Sequence, residues 1–138
     1  MAERIVNHRQ LEVYQRAFGT SMAIFDISKL LPREELFSLT DQIRRSSRSV
    51  AANIAEAWRK RRYEAAFIAK LSDAEAEAAE TQTWLEYTVK CGYIPRERIA
   101  PLYREYDQIL RTLVGMINHT NKWILPARRS ARPSAASE

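Results

Sequence analysis

Between Leu39 and Trp58 the apolar and small residues return every three or four positions: Leu39, Ile43, Ser46, Val50, Ile54 and then Ala57 or Trp58. That alternation keeps one face of an α-helix against a partner, whereas a strand would alternate every second residue. Three glycines in 138 residues argue against a sheet-and-turn fold and against any glycine-rich phosphate loop. A hydrophobic content of 46% against 28% charged residues is that of a globular chain, long enough to bury a core without a disulfide or a metal.

Four helical blocks follow from the apolar period. The first covers residues 10–31, with Leu11, Tyr14, Phe18, Met22 and Phe25 on one stripe and Val13, Ala17 and Ile24 beside it. Pro32 stops it, lacking an N–H and disfavouring helix in the residue before it. The second starts near Ser38, where Ser38 with Asp41 is capping-box-like and Thr40 is an equally good N-cap. The third covers residues 63–90, with Tyr63, Phe67, Leu71, Ala74, Ala78, Thr81, Leu85 and Thr88 on its stripe; its alanines admit a close neighbour. Gly92 after Cys91 is a natural C-cap, and Pro95 opens a fourth helix over residues 95–124, striped by Ile99, Leu102, Tyr106, Ile109, Leu113, Ile117 and Ile124.

Four long amphipathic helices with short links predict an all-α, antiparallel up-down four-helix bundle. The expected organisation is a flexible N-terminus over residues 1–9, the bundle over 10–125, and a disordered basic tail over 126–138. Arg128, Arg129 and Arg132 in that tail would add loose attraction for a polyanion. Trp58, Phe37, Trp84 and Trp123 fall outside the seams, and several such aromatics on a small bundle imply self-association.

The charge pattern carries the functional reading. Residues 43–62 hold Arg44, Arg45, Arg48, Arg59, Lys60, Arg61 and Arg62 against one acid, Glu56. A helix that buries Ile43, Val50 and Ile54 pushes these cations onto a surface, and a dense positive surface on a rigid rod suits nucleic acid. Arg44, Arg45 and Arg48 fall within about one turn, but Arg44 and Arg45 cannot share one face, so one of them is open to a structural role. The alternative for the whole group is a solvated face, or pairing with acids of a neighbouring subunit. The net charge of +5 shifts the balance towards an acidic partner without deciding it.

Chemistry finds little purchase. Asn53 and Glu56 lie on successive turns of a mostly apolar helix and read as a buried structural polar pair rather than catalytic groups, since no acid–base partner is evident. Neither His8 nor His119 has a glutamate three residues before it, and with one cysteine no His/Cys metal cluster forms within a chain. Cys91 reads as a small buried residue. Tyr14, Tyr87, Tyr93, Tyr103 and Tyr106 could stack on bases, but their helical spacing favours packing for most. No catalytic residue, metal or cofactor is therefore expected. The start MAERIVNHRQ lacks an apolar signal region and no run is long enough to span a membrane, so a cytoplasmic chain is expected.

Several segments resemble the bacterial four-helix-bundle proteins encoded within intervening sequences of 23S ribosomal RNA genes, the S23-type proteins. The resemblance rests on Leu11, Glu12, Val13 and Tyr14, on the run Leu39, Thr40, Asp41, Gln42, Ile43, Arg44, Arg45 and Ser46, on Asn53, Ile54, Ala55 and Glu56, and on Gly92, Tyr93 and Ile94. It covers residues 10–125. Ala51 stands where that family usually has a proline and Ala57 where it usually has a glycine; both favour a straighter second helix. The resemblance implies a ring-like homopentamer and nucleic-acid binding. A related branch serves as the accessory protein of diversity-generating retroelements, in which a pentamer binds a reverse transcriptase and its RNA, and this is the alternative role. In a ring, Arg59, Lys60, Arg61 and Arg62 of every copy would gather on one rim. The combined expectation is a non-enzymatic oligomeric scaffold that binds nucleic acid, RNA in preference.

Overall fold

A computed structural model describes residues 4–126, which form four α-helices and three short 3-10 turns and contain no strand. The helices are α1 (Glu12–Ser28), α2 (Leu39–Arg59), α3 (Glu64–Lys90) and α4 (Arg96–Asn118). The turns are His8–Gln10, Arg33–Glu35 and Thr120–Lys122. α2 packs on α1 and α3, and α4 closes the circuit by packing on α3 and α1. No helix among the described residues is long and apolar enough to cross a membrane. Of the tail expected to be disordered, residues 127–138 lie outside the described residues.

The ends of the helices follow from side chains that replace missing backbone partners. Asn7 accepts from the N–H of Arg9 at 2.8 Å and caps the first turn, while Gln10 reaches back to the N–H groups of Val6 and Asn7. This capped turn falls partly within the nine residues expected to be flexible. The cap of α2 differs from the sequence expectation. Ser38 makes no capping bond; its hydroxyl donates to the Glu35 carboxylate at 2.6 Å, and the same carboxylate accepts the Leu39 N–H at 3.2 Å. Glu35, from the preceding turn, is thus the cap, and Tyr93 braces it by donating its phenol at 2.7 Å.

α3 ends as read from Gly92. Gly92 adopts φ +76°, its N–H bonds the Val89 carbonyl at 2.9 Å, and the Tyr93 N–H bonds the Thr88 carbonyl at 3.1 Å. These are the two bonds of a Schellman motif. Cys91 beside it is exposed, not buried, because the chain turns away from the core there. α4 stops at Asn118, short of the expected residue 124; His119 leaves helical geometry, and Thr120 turns to donate its hydroxyl to Glu64 in the first turn of α3.

The core seams of α2, α3 and α4 lie close to the expected stripes. Ile43, Val50 and Ile54 meet Phe67, Leu71, Leu85, Tyr106, Ile109 and Leu113, all fully buried. Ser46 and Thr81 share a buried hydrogen bond of 2.8 Å across α2 and α3. Tyr63 is exposed rather than part of the third stripe, and Met116 takes the core place at the end of α4, where Ile117 is half-buried.

α1 is a correction. Its core face is Val13, Ala17, Thr20, Ser21, Ile24, Ile27 and Ser28, while Phe18 and Met22 are 50% and 49% exposed. The helix carries two apolar stripes, and the one that faces the core mixes Val13, Ile24 and Ile27 with the small residues Ala17, Ser21 and Ser28. Their hydroxyls bond back to their own helix at 2.7 Å (Thr20 to Arg16, Ser21 to Phe18, Ser28 to Phe25), so burial leaves them satisfied. Trp58 is a second correction to the set read as outlying. It is only 4% exposed and belongs to the core beside Ala57, as the alternative end of the second stripe allowed; the Arg61 guanidinium covers it, 3.4 Å from its ring centroid, and donates to its carbonyl. Of the other aromatics expected to be exposed, Phe37 is bare and Trp84 and Trp123 are half-buried.

Three stability measurements test this account. Gly92→Ala meets no neighbouring atom, so it costs only the left-handed backbone penalty, about 1–2 kcal/mol in urea unfolding. The Tyr106 hydroxyl is buried without a hydrogen-bond partner among the described residues, and burial raises its pKa. Tyr106→Phe is therefore expected to stabilise the fold by about 1 kcal/mol. Glu35→Ala removes a cap and costs about 1 kcal/mol at neutral pH. The Glu35 carboxyl is held below its ordinary value by the Ser38 hydroxyl first, then the Tyr93 phenol and the Leu39 N–H. Its stabilisation is complete above the unfolded carboxylate value of about 4.3 and is lost as pH falls through the lower folded value, so the variant and the native protein converge in acid.

Candidate nucleic-acid interface

The rotation that buries Ile43, Val50 and Ile54 turns the opposite side of α2 outwards. At about 100° per residue, Arg44, Arg48, Ala55 and Arg59 then fall within a sector of about 60°. Arg44 donates to the Ser28 hydroxyl at 2.7 Å, and its guanidinium stands 4.9 Å from the Phe25 ring centroid. Arg48 stands 5.7 Å from the same ring, and the Lys29 ammonium 4.7 Å from it. One half-buried phenylalanine on α1 thus gathers three cations from two helices, and cation–π attraction offsets part of their mutual repulsion. Neither Arg44 nor Arg48 has a carboxylate partner among the described residues.

Arg45 takes the structural role left open between it and Arg44. It points to α3, where it meets Glu80 at 2.5 Å and lies 3.6 Å from Glu77. Its charge is answered within the chain.

The second basic group divides in the same way. Arg59, Lys60 and Arg62 are exposed at the link between α2 and α3. Arg61 instead covers Trp58, and its pKa is lowered, first by burial and then by repulsion from Arg59. Its carbonyl accepts the Leu125 N–H at 3.0 Å, which fastens the end of the described chain to this basic link.

Asn53 and Glu56 do not form the expected buried pair. Asn53 donates to the Ser49 carbonyl at 2.9 Å, and Lys70 of α3 reaches both side chains, Asn53 at 3.4 Å and Glu56 at 2.6 Å. Glu56 is exposed, so the group is a surface clasp between α2 and α3 built on Lys70, whose pKa Glu56 raises by hydrogen bonding. Sequence reasoning missed the role of Lys70, yet a lysine in the first half of a segment whose other charges there are acidic was its signal.

An open groove of about 640 Å³ runs along the start of α2, lined among others by Leu36, Phe37, Asp41, Arg44, Arg45 and Arg48. Phe37 was read from sequence only as an outlying aromatic; its place beside the arginines was not legible. Of the tyrosines, Tyr106 is buried, Tyr14, Tyr93 and Tyr103 are half-buried, and Tyr87 is exposed. Tyr103 donates to Glu86, and the Tyr93 phenol is pushed up to about 12 by its bond to Glu35. Among the described residues no three His, Cys, Asp or Glu side chains are placed to hold a metal ion.

Comparison with known proteins agrees with this architecture. No curated protein matches the chain. A crystal structure of a protein of unknown function from the S23 ribosomal protein family of Bacteroides thetaiotaomicron superposes with a TM-score of 0.69 at 34% identity, over 76% of this chain and 97% of that one. The sequence profile of the 23S rRNA-intervening sequence proteins matches residues 9–115. The chain belongs to the 23S rRNA-intervening sequence protein family.

Proposed function

We propose that this protein is a non-enzymatic, cytoplasmic, oligomeric scaffold that binds nucleic acid, RNA in preference, through Arg44, Arg48, Arg59, Lys60 and Arg62. The observation that carries the reading is the pair Arg44 and Arg48: oriented by Phe25, without carboxylate partners among the described residues, and in line with Arg59 on one face of a rigid helix. Guanidiniums held this way meet phosphates without first giving up an internal ion pair. Arg45 and Arg61 support the surface from behind, one tied to α3 and the other covering Trp58.

The helices are read as antiparallel neighbours. Arg45 pairs with Glu80 and Ser46 with Thr81, whereas Asn53, about two turns further along α2, pairs with Lys70, about three turns earlier in α3. Assembly into a ring, a pentamer by family resemblance, is favoured by the exposed stripe of Phe18 and Met22, which leaves apolar area on α1 for another copy to cover. A ring multiplies the charge at each rim and strengthens the field felt by a polyanion.

Light scattering with and without a structured RNA, at low and moderate salt, tests both parts. A particle of about 80 kDa, five chains of 16.0 kDa, is expected to gain mass with RNA at low salt and release it as salt rises. Replacing Arg44, Arg48, Arg59, Lys60 and Arg62 by glutamine is expected to weaken binding at least tenfold and flatten its salt dependence, with the mass unchanged. Arg45→Gln is expected to leave affinity within about twofold, its charge being already answered. Unchanged binding in the fivefold variant sinks the site. A ring that ignores RNA at every salt turns the reading towards a protein partner, such as a reverse transcriptase.

A further inference from the structure

We propose that the groove at the start of α2 takes an unpaired stretch of a nucleic-acid strand, one base stacking on Phe37 while Arg44 and Arg48 hold the adjoining phosphates. This rests on the nucleic-acid reading above and narrows it from polyanions in general to single strands.

Phe37 is 91% exposed, the barest large apolar side chain among the described residues. A phenylalanine left in water forgoes the burial that ordinarily justifies it. The segment that carries it is nonetheless braced. The Leu36 N–H bonds the Arg33 carbonyl at 3.0 Å, the Ser38 N–H bonds the Glu35 carbonyl at 3.0 Å, and the Glu35 carboxylate is gripped by Ser38, Leu39 and Tyr93. The backbone on both sides of the ring is held, so the ring is presented by a supported turn.

What it faces selects the partner. A purely apolar occupant would have to lie beside Arg44 and Arg48, whose charges it could not answer. A nucleotide supplies both complements, a π-face for the ring and a phosphate for the guanidiniums. Arg44 and Arg48 are one turn apart on α2, about 5–6 Å between their Cβ atoms, which places two donors along one strand's backbone. Asp41 lines the same groove without a cation partner of its own among the described residues. It repels phosphate from the helix start and can accept from a base amino group. The volume of about 640 Å³ lies within the range of small-ligand pockets, roughly 300–1,000 Å³, and so suits one or two nucleotides. In a duplex the base faces are already stacked, so a projecting ring finds nothing to cover; an unpaired loop or strand offers them.

The test compares a labelled RNA of about twelve nucleotides, single-stranded and as the duplex of the same sequence, by fluorescence anisotropy. The native protein is expected to bind the single strand more tightly. Phe37→Ala is expected to weaken single-strand binding about tenfold while leaving duplex affinity, salt slope and particle mass unchanged. Arg44→Gln with Arg48→Gln is expected to weaken both RNAs and flatten the salt slope. An RNA carrying 5-iodouridine, irradiated in the bound state, is expected to crosslink to the peptide that contains Phe37. Equal affinity of native protein and Phe37→Ala for the single strand, with loss only in the arginine variant, overturns the stacking role and leaves a phosphate site. A fall in particle mass on Phe37→Ala also overturns it, assigning the ring to a contact between copies. Failure of the native protein to bind either RNA removes the underlying nucleic-acid reading and this one with it.

Discussion

Burying Ile43, Val50 and Ile54 against the rest of the core fixes the rotation of α2, and that rotation decides where every arginine on the helix goes. The buried Ser46–Thr81 hydrogen bond holds the same register, because a rotation or slide of α2 would break the one polar contact among the described residues that joins the two helices inside this seam. With the seam set, Arg45 has no choice but to face α3 and its glutamates, whereas Arg44 and Arg48 turn over α1 and find Phe25. The division of one basic run into internal and outward charges is thus a result of core packing, not of the arginines themselves.

The seams of α2 and α4 were legible in the sequence because each helix has one dominant stripe that a 3.6-residue period identifies, while that of α3, whose alanines lie on several faces, was legible from its large residues Phe67, Leu71 and Leu85. α1 was misread at Phe18 and Met22, because Leu11, Tyr14, Phe18, Met22 and Phe25 form as good a stripe as the true one. Period alone cannot weigh bulk against closeness of approach. The residues that won, Ala17, Ser21 and Ser28 among them, are small and can satisfy their own hydroxyls, a property visible only once α2 is placed above them. Trp58 and Cys91 failed for related local reasons. An arginine three residues on became the lid of one, and a left-handed turn carried the other out of the core.

The candidate site was legible as a concentration of charge but not as a geometry. Nothing in the run of residues 43–62 reveals that Arg45 is answered by acids more than thirty positions away, or that Lys29 joins Arg44 and Arg48 around one ring. Those facts belong to the packing of α1, α2 and α3 together. The Asn53 and Glu56 pair shows the same limit: two polar groups one turn apart suggested a bond with each other, yet their common partner came from the neighbouring helix.

The unbroken course of α2 gives the basic face a fixed length. Alanine at positions 51 and 57 lets the helix run from Leu39 to Arg59 with no proline to bend it. Arg44 and Arg59 are therefore separated by about 22 Å of axial rise at 1.5 Å per residue. At about 3.4 Å per nucleotide, that is the length of six to seven stacked bases. The helix acts as a ruler: Arg44 and Arg48 stand at one end of a set interval and Arg59 at the other, with Ala52 and Ala55 between.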